Sequence, residues 1–173
     1  MKILQHVANF INQLNERIGN ATSWLTTLLV LLIVVDVFFR YVFKDTAAWV
    51  NELEWYTFSI IFLLGGGYAF KHDKHVRVDL FYDKFSVRDQ AWLNLFGAIF
   101  LLLPWSLIML VYAWQYAATA YQLNESSPDP GGLSARYLIK FSMVVGFLLL
   151  LLQGIASLIA SVSTLQQTKP TNQ

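Results

Sequence analysis

The sequence predicts an all-α integral membrane protein, with four transmembrane helices preceded by an N-terminal amphipathic interfacial helix. Three observations predict it. The chain is 56% hydrophobic and only 13% charged over 173 residues, with a mean hydropathy of +0.48, which is too apolar for an ordinary soluble domain. Four apolar stretches, at about residues 22–43, 49–70, 91–121 and 137–162, each exceed the roughly 20 residues that a helix needs to cross a bilayer. The one long charged run, residues 71–90, divides these stretches into two hairpins. It carries Lys71, Lys74, Arg77, Lys84 and Arg88, and because basic residues are retained on the cytoplasmic side while acidic ones count for little, it faces the cytoplasm.

Within residues 1–20, Ile3, Leu4, Val7, Phe10, Ile11, Leu14 and Ile18 recur at spacings of three and four, with Gln5, Asn9, Asn12, Gln13 and Glu16 between them. That is an amphipathic helix. It suits the membrane interface, with its apolar stripe in the acyl boundary, and the same stripe would equally suit a partner helix. The first span, 22–43, has Trp24 at one end and Phe38, Phe39, Tyr41 and Phe43 at the other, the aromatic anchors of two interfaces. The second, 49–70, opens with Trp49, Glu52, Glu54 and Trp55, acids that suit a helix N-terminus. Toward its end Gly65, Gly66 and Gly67 offer a place for another backbone to approach closely. The third, 91–121, is longer than a bilayer requires, and Pro104 should bend it about midway. A periplasmic loop, 122–136, contains two prolines and two glycines, which spell turns. In the fourth span, 137–162, Ser142, Gly146, Gln153, Ser157 and Ser161 form a packing stripe in which Gln153 seeks a hydrogen-bond partner.

With the central loop inside, four spans place both termini in the cytoplasm. The inner side then holds Lys2, Arg17, Lys71, Lys74, Arg77, Lys84, Arg88 and Lys169, against Arg40, Lys44 and Arg136 outside, with Lys140 inside the fourth span. The whole is one membrane domain whose first span serves as an uncleaved anchor. A net charge of +1 gives no reason to expect nucleic acid. The absence of cysteine excludes disulfides, thiol nucleophiles and thiolate-bound metals.

Few residues are candidates for chemistry. Asp36 and Arg40 stand four apart on one helix face, and charged groups inside a span cost roughly 2.5–3.5 kcal/mol each at the membrane centre. Counted from Thr22, Asp36 lies roughly 21 Å along the helix, in the outer third of the membrane. The pair reads first as an ion pair with Arg40 reaching the outer surface, and second as an inter-subunit contact or a proton site. Glu52 and Glu54 look like a solvated rim, since two residues apart on a helix they point different ways. His72, Asp73, His75 and Asp79 invite a metal, but they sit in a charge-mixed loop rather than in a rigid set of three or four ligands. No phosphate-binding glycine loop, nucleophile constellation or dinucleotide fingerprint is present. The chain is expected to be neither an enzyme nor a holder of cofactor or metal.

Several short motifs follow one another in a fixed order: Asp36, Arg40, Tyr41, Val42 and Phe43 at the end of the first span, and Trp49, Glu52 and Leu53 opening the second. Gly67, the run His75, Val76, Arg77, Val78, Asp79, and Ser127 with Pro128 in the last loop complete the series. This order resembles the small membrane subunit of the tripartite ATP-independent periplasmic (TRAP) transporters. It implies a bacterial inner-membrane protein that pairs with a large multi-span subunit, which holds the sodium and substrate sites, and with a periplasmic substrate-binding protein. It further implies sodium-driven uptake of an organic acid, of the sialic acid or C4-dicarboxylate class, with this chain as scaffold. Asp36, Arg40, Trp49, Glu52, Glu54, His75, Arg77, Asp79 and Gln153 are then structural or partner contacts. The rival is a four-helix membrane anchor of another inner-membrane complex. A haem-bearing anchor would need axial histidines within the bundle, and His6, His72 and His75 lie outside the apolar spans.

Overall fold

The computed structural model describes residues 2–44, 47–72, 82 and 84–167, and every long element among them is helical. In chain order these are α1 (Lys2–Val42), α2 (Ala48–Lys71), α3 (Val87–Gly97), a π-helical turn (Ala98–Leu102), α4 (Leu103–Gln122) and α5 (Tyr137–Gln167). Helix α5 is the hub: α1, α2, α3, the π turn and α4 all pack on it. Its most apolar window is 28% buried, against 6% for α1 and 11% for the composite α3 to α4.

Among the described residues, three helices are long and apolar enough to cross a membrane: α1, the continuous 36-residue run Val87–Gln122, and α5. Helix α2, with 24 residues, is long enough but more polar, because Glu52, Glu54, Trp55, Tyr56, Thr57, Ser59 and three glycines dilute its apolar stretch. The expected count of four spans therefore rests on α2.

The sequence suggested a separate interfacial helix ending near residue 20, and here the structure differs. α1 is one helix of 41 residues, roughly 60 Å long at ~1.5 Å per residue. No proline or capping side chain stops it. The Thr22 and Ser23 hydroxyls instead donate back to the Gly19 carbonyl, at 2.8 and 3.0 Å, so both are satisfied inside the helix. Its first half does not present the whole apolar stripe outward. Ala8 and Ile11 are buried with Ala156, Leu152 and Ile159 of α5, whereas Ile3, Leu4, Val7 and Phe10 stay exposed.

Two further details differ from expectation. The irregularity at Pro104 is a π turn placed just before it, in which the Leu103 N–H reaches back to the Ala98 carbonyl. Proline has no N–H, and its ring crowds the carbonyl four residues earlier; one wider turn relieves both. Ser106, fully buried, donates to the Leu102 carbonyl at 2.7 Å. Of the three consecutive glycines, only Gly67 is needed inside the chain: a Cβ there would collide with the Asn15 side chain and lie 3.3 Å from the Leu149 carbonyl oxygen, while Gly65 and Gly66 face open space. Gly146 serves the same end on α5, where a Cβ would come within 2.8 Å of the Leu63 carbonyl oxygen.

Candidate functional site

The densest polar constellation is at the end of the helices that the charge bias predicts to be outer, and it begins with Glu52. One turn into α2, this carboxylate points into the protein and is only 4% exposed. It accepts the Ser127 hydroxyl on one oxygen and the Leu133 N–H on the other, the latter at 2.5 Å. The Leu133 carbonyl in turn accepts the Ser127 N–H at 3.0 Å, and the Gly132 N–H closes a turn on the Asp129 carbonyl at 2.9 Å. A carboxylate has lone pairs to spare and a tight turn has inward-pointing donors, so the two satisfy each other. Gly131 supplies the left-handed backbone, at φ 77°, and Gly132 leaves the room, since a Cβ there would sit 2.9 Å from a Glu52 oxygen. Glu52 is therefore no solvated rim. The expectation fails because its partners lie 75 and 81 residues away in sequence.

Beside this clamp, Lys140 is 7% exposed in the first turn of α5. Its ammonium lies 2.5 Å from a Glu125 oxygen and 3.8 Å from the centre of the Tyr116 ring. A buried ammonium needs this combination of counter-charge and aromatic face. Arg136 stacks its guanidinium 5.8 Å over Trp55. These contacts join α2, α4, α5 and the loop between α4 and α5.

Across α2, the pair expected from spacing alone is present: an Arg40 nitrogen is 2.5 Å from Asp36, with Asp36 6% and Arg40 45% exposed. The same guanidinium donates to Asn51 at 3.0 Å, so the pair also ties α1 to α2. Glu54, another supposed rim residue, keeps one carboxylate oxygen buried without a hydrogen-bond partner. Trp49 is half exposed at the start of α2.

At the inner end the buried links between helices are neutral. The Asn15 amide donates to Gln153 at 2.8 Å, and the Gln153 amide donates to Asn12 at 2.9 Å, an amide ladder between α1 and α5 in which Asn15 is fully buried. Nearer the surface, Glu16 of α1 meets Lys71 at 2.5 Å and His72 at 2.8 Å at the end of α2. A cavity of about 400 Å³ lies alongside, lined in part by Asn12, Lys71, Gln90, Asn94 and Gln153. His75, Arg77 and Asp79 fall outside the described residues. Among the described residues, no group of three or more His, Asp or Glu side chains converges to hold a metal.

Sequence reasoning gave no role to Asn12, Asn15, Glu125 or the Leu133 amide. Lys140 could have pointed to one of them, because a lysine inside an apolar stretch demands a carboxylate, and Glu125 is among the nearest in sequence. The amide ladder has no such local signature.

A family model described as "Tripartite ATP-independent periplasmic transporters, DctQ component" matches residues 29–164. No curated protein matches the chain. The matched stretch contains the whole outer constellation and Gln153, while Asn12, Asn15 and Glu16 precede it.

Proposed function

The chain belongs to the family of the DctQ component, the small membrane subunit of tripartite ATP-independent periplasmic transporters, and from that premise we propose that it serves sodium-coupled uptake of an organic acid as a scaffold. The carrier of substrate and sodium is the large membrane subunit. The substrate belongs to the sialic acid or C4-dicarboxylate class and is delivered by a periplasmic binding protein. In this reading four helices cross the inner membrane, α1 crosses as one continuous helix whose first half reaches past the apolar core on the inner side, and both termini face the cytoplasm.

One observation carries the scaffold role. Most of the polar groups held among the helices are spent on one another: Asp36 on Arg40, Glu52 on Ser127 and Leu133, Lys140 on Glu125, Gln153 on Asn15 and Asn12, with one buried atom each of Asn15, Glu54 and Tyr56 left over. A carrier must instead keep polar groups or irregular backbone open near mid-membrane, to replace the hydration of an ion and a carboxylate. The outer loop supports the second half of the proposal, because a turn tethered to α2 by Glu52 offers the binding protein a surface of fixed shape.

The test is uptake into liposomes under an imposed sodium gradient, with labelled sialic acid and labelled dicarboxylates as substrates. The lone chain should transport nothing, and the chain with its large subunit and binding protein should give sodium-dependent uptake. Transport by the lone chain would overturn the scaffold reading. Undiminished transport by the other two components without it would show that the chain is dispensable.

A further inference from the structure

The helices leave a groove along one side of α5. α2 and α4 each pack on α5 rather than on each other, so α2 forms one wall, α3 and α4 form the other, and α5 forms the floor. The outer half of the groove is a cavity of about 420 Å³ bordered by Phe58 and Phe62 of α2, Tyr116 of α4, and Ile139 and Met143 of α5. The inner half is a cavity of about 540 Å³ bordered by Leu93, Gly97, Leu101, Trp105 and Ser157.

Three features narrow what can fill it. The walls are apolar and aromatic at membrane depth, with Phe58, Phe62, Leu101 and Trp105 all exposed. Next, at 3.6 residues per turn, Gly66 falls on the face of α2 shared by Ser59, Phe62 and Leu63, which border the outer cavity, and Gly97 borders the inner one. A Cβ at either position would meet nothing within 4 Å. Packing inside the chain thus accounts for Gly67 and Gly146 but not for these two, although glycine within a helix costs about 1 kcal/mol relative to alanine. Last, Arg136 stands at the outer mouth. Its guanidinium is stacked on Trp55 and feels the charge of the buried Glu52 without forming an ion pair among the described residues, whereas its neighbour Lys140 is paired with Glu125.

We propose that the groove seats one transmembrane helix of the large subunit, with small residues at mid-depth and a carboxylate or free C-terminal carbonyls near its outer end, facing Arg136. The proposal rests on the family reading above and adds the surface. A phospholipid would also bring an anionic group and apolar chains, but flexible acyl chains gain nothing from two missing side chains. Helices in lipid associate through such close approach of backbones.

The experiment co-expresses the chain with a tagged large subunit and purifies the complex in mild detergent. Gly66→Leu and Gly97→Leu should leave the melting temperature of the lone chain unchanged and cut the amount that co-purifies by roughly tenfold or more, the scale expected for overpacking a contact. Arg136→Gln should weaken retention less. Wild-type assembly by both leucine variants, or loss of bound phospholipid with assembly intact, overturns the proposal. Should a leucine variant be unstable alone, Phe62→Cys decides the matter. This chain has no native cysteine, so an oxidant-dependent crosslink to single cysteines along one helix of the large subunit is the expected result, and a full scan without a crosslink refutes it. Failure of the unaltered chain to retain the large subunit would instead sink the reading of the partner itself.

Discussion

The two ends of the helix set solve the same problem with different chemistry. At the outer end the cross-links are charged: Glu52 holds a loop, Lys140 is held by Glu125, and Asp36 by Arg40. At the inner end, α1 and α5 are joined in the interior by the neutral side chains of Asn15, Gln153 and Asn12, glycine brings the backbones together, and the ion pairs of Glu16 with Lys71 and His72 stay near the surface. The outer groups lie where turns supply backbone donors, so a carboxylate can be satisfied completely and in return defines the shape of the loop. The amide ladder lies between two regular helices whose backbone groups are already used, so only another side chain can pair with it. A neutral amide left half satisfied there costs far less than an unpaired charge. The outer end fixes a surface, and the inner end fixes the register of two helices.

The largest effect should come from removing the centre of the outer clamp. Glu52→Ala leaves the Ser127 hydroxyl and the Leu133 amide without their acceptor, and the loop between α4 and α5 should become the first site of limited proteolysis, with the greatest loss of melting temperature in this set. A loop that stays resistant would mean that the turn holds itself. The matching strike at the inner end is Gly67→Ala. The added methyl displaces Asn15, which is fully buried and cannot simply swing aside, so a loss of about 1–3 kcal/mol is expected in detergent unfolding. No change would show that α1 and α2 are not tightly apposed there.

Smaller effects sharpen the contrast between charged and neutral links. Asp36→Asn should cost about 1 kcal/mol, because Arg40 is nearly half exposed and water softens its loss. Arg40→Gln in that background should restore part of it, and strictly additive losses in the double-mutant cycle would argue that the two do not interact. The same cycle on Asn15→Ala and Gln153→Ala should return the smallest coupling, about 0.6 kcal/mol, the usual worth of an interhelical hydrogen bond in a membrane protein. A coupling above that of Asp36 with Arg40 would reverse the ranking of the two ends.

Some of this arrangement was legible in the residues and some was not. Asp36 and Arg40 could be read directly, because a spacing of four on a helix brings them together in any fold that keeps the helix. Pro104 announced an irregularity, since the missing N–H is a property of the residue itself, although its form as a π turn in front of the proline was not. Gln153 declared a need for a partner without naming it. Glu52 was misjudged because exposure is not a local property: helix periodicity says which way a side chain points, not what stands opposite. The break expected near residue 20 was misjudged for a related reason. Amphipathic and fully apolar stretches differ in composition, but a helix continues through such a change unless a cap or a proline stops it.

By itself the sequence determined the helical class, the apolar lengths, the clustering of basic residues in the stretch 71–90 and the order of motifs that marks the family. All of these depend on backbone hydrogen bonds satisfied within a segment and on the cost of placing charge in lipid, so neighbouring residues suffice to set them. Only the tertiary structure decided that α5 is the hub, that Gly67 and not Gly65 or Gly66 meets another helix, that Glu52 closes on a loop about 80 residues away, and that α2 and α4 leave a groove between them. Each of these depends on the rotation and register of one helix against another. In a membrane that choice is made by shape and by a few polar pairs rather than by hydrophobicity, which is nearly the same on every face.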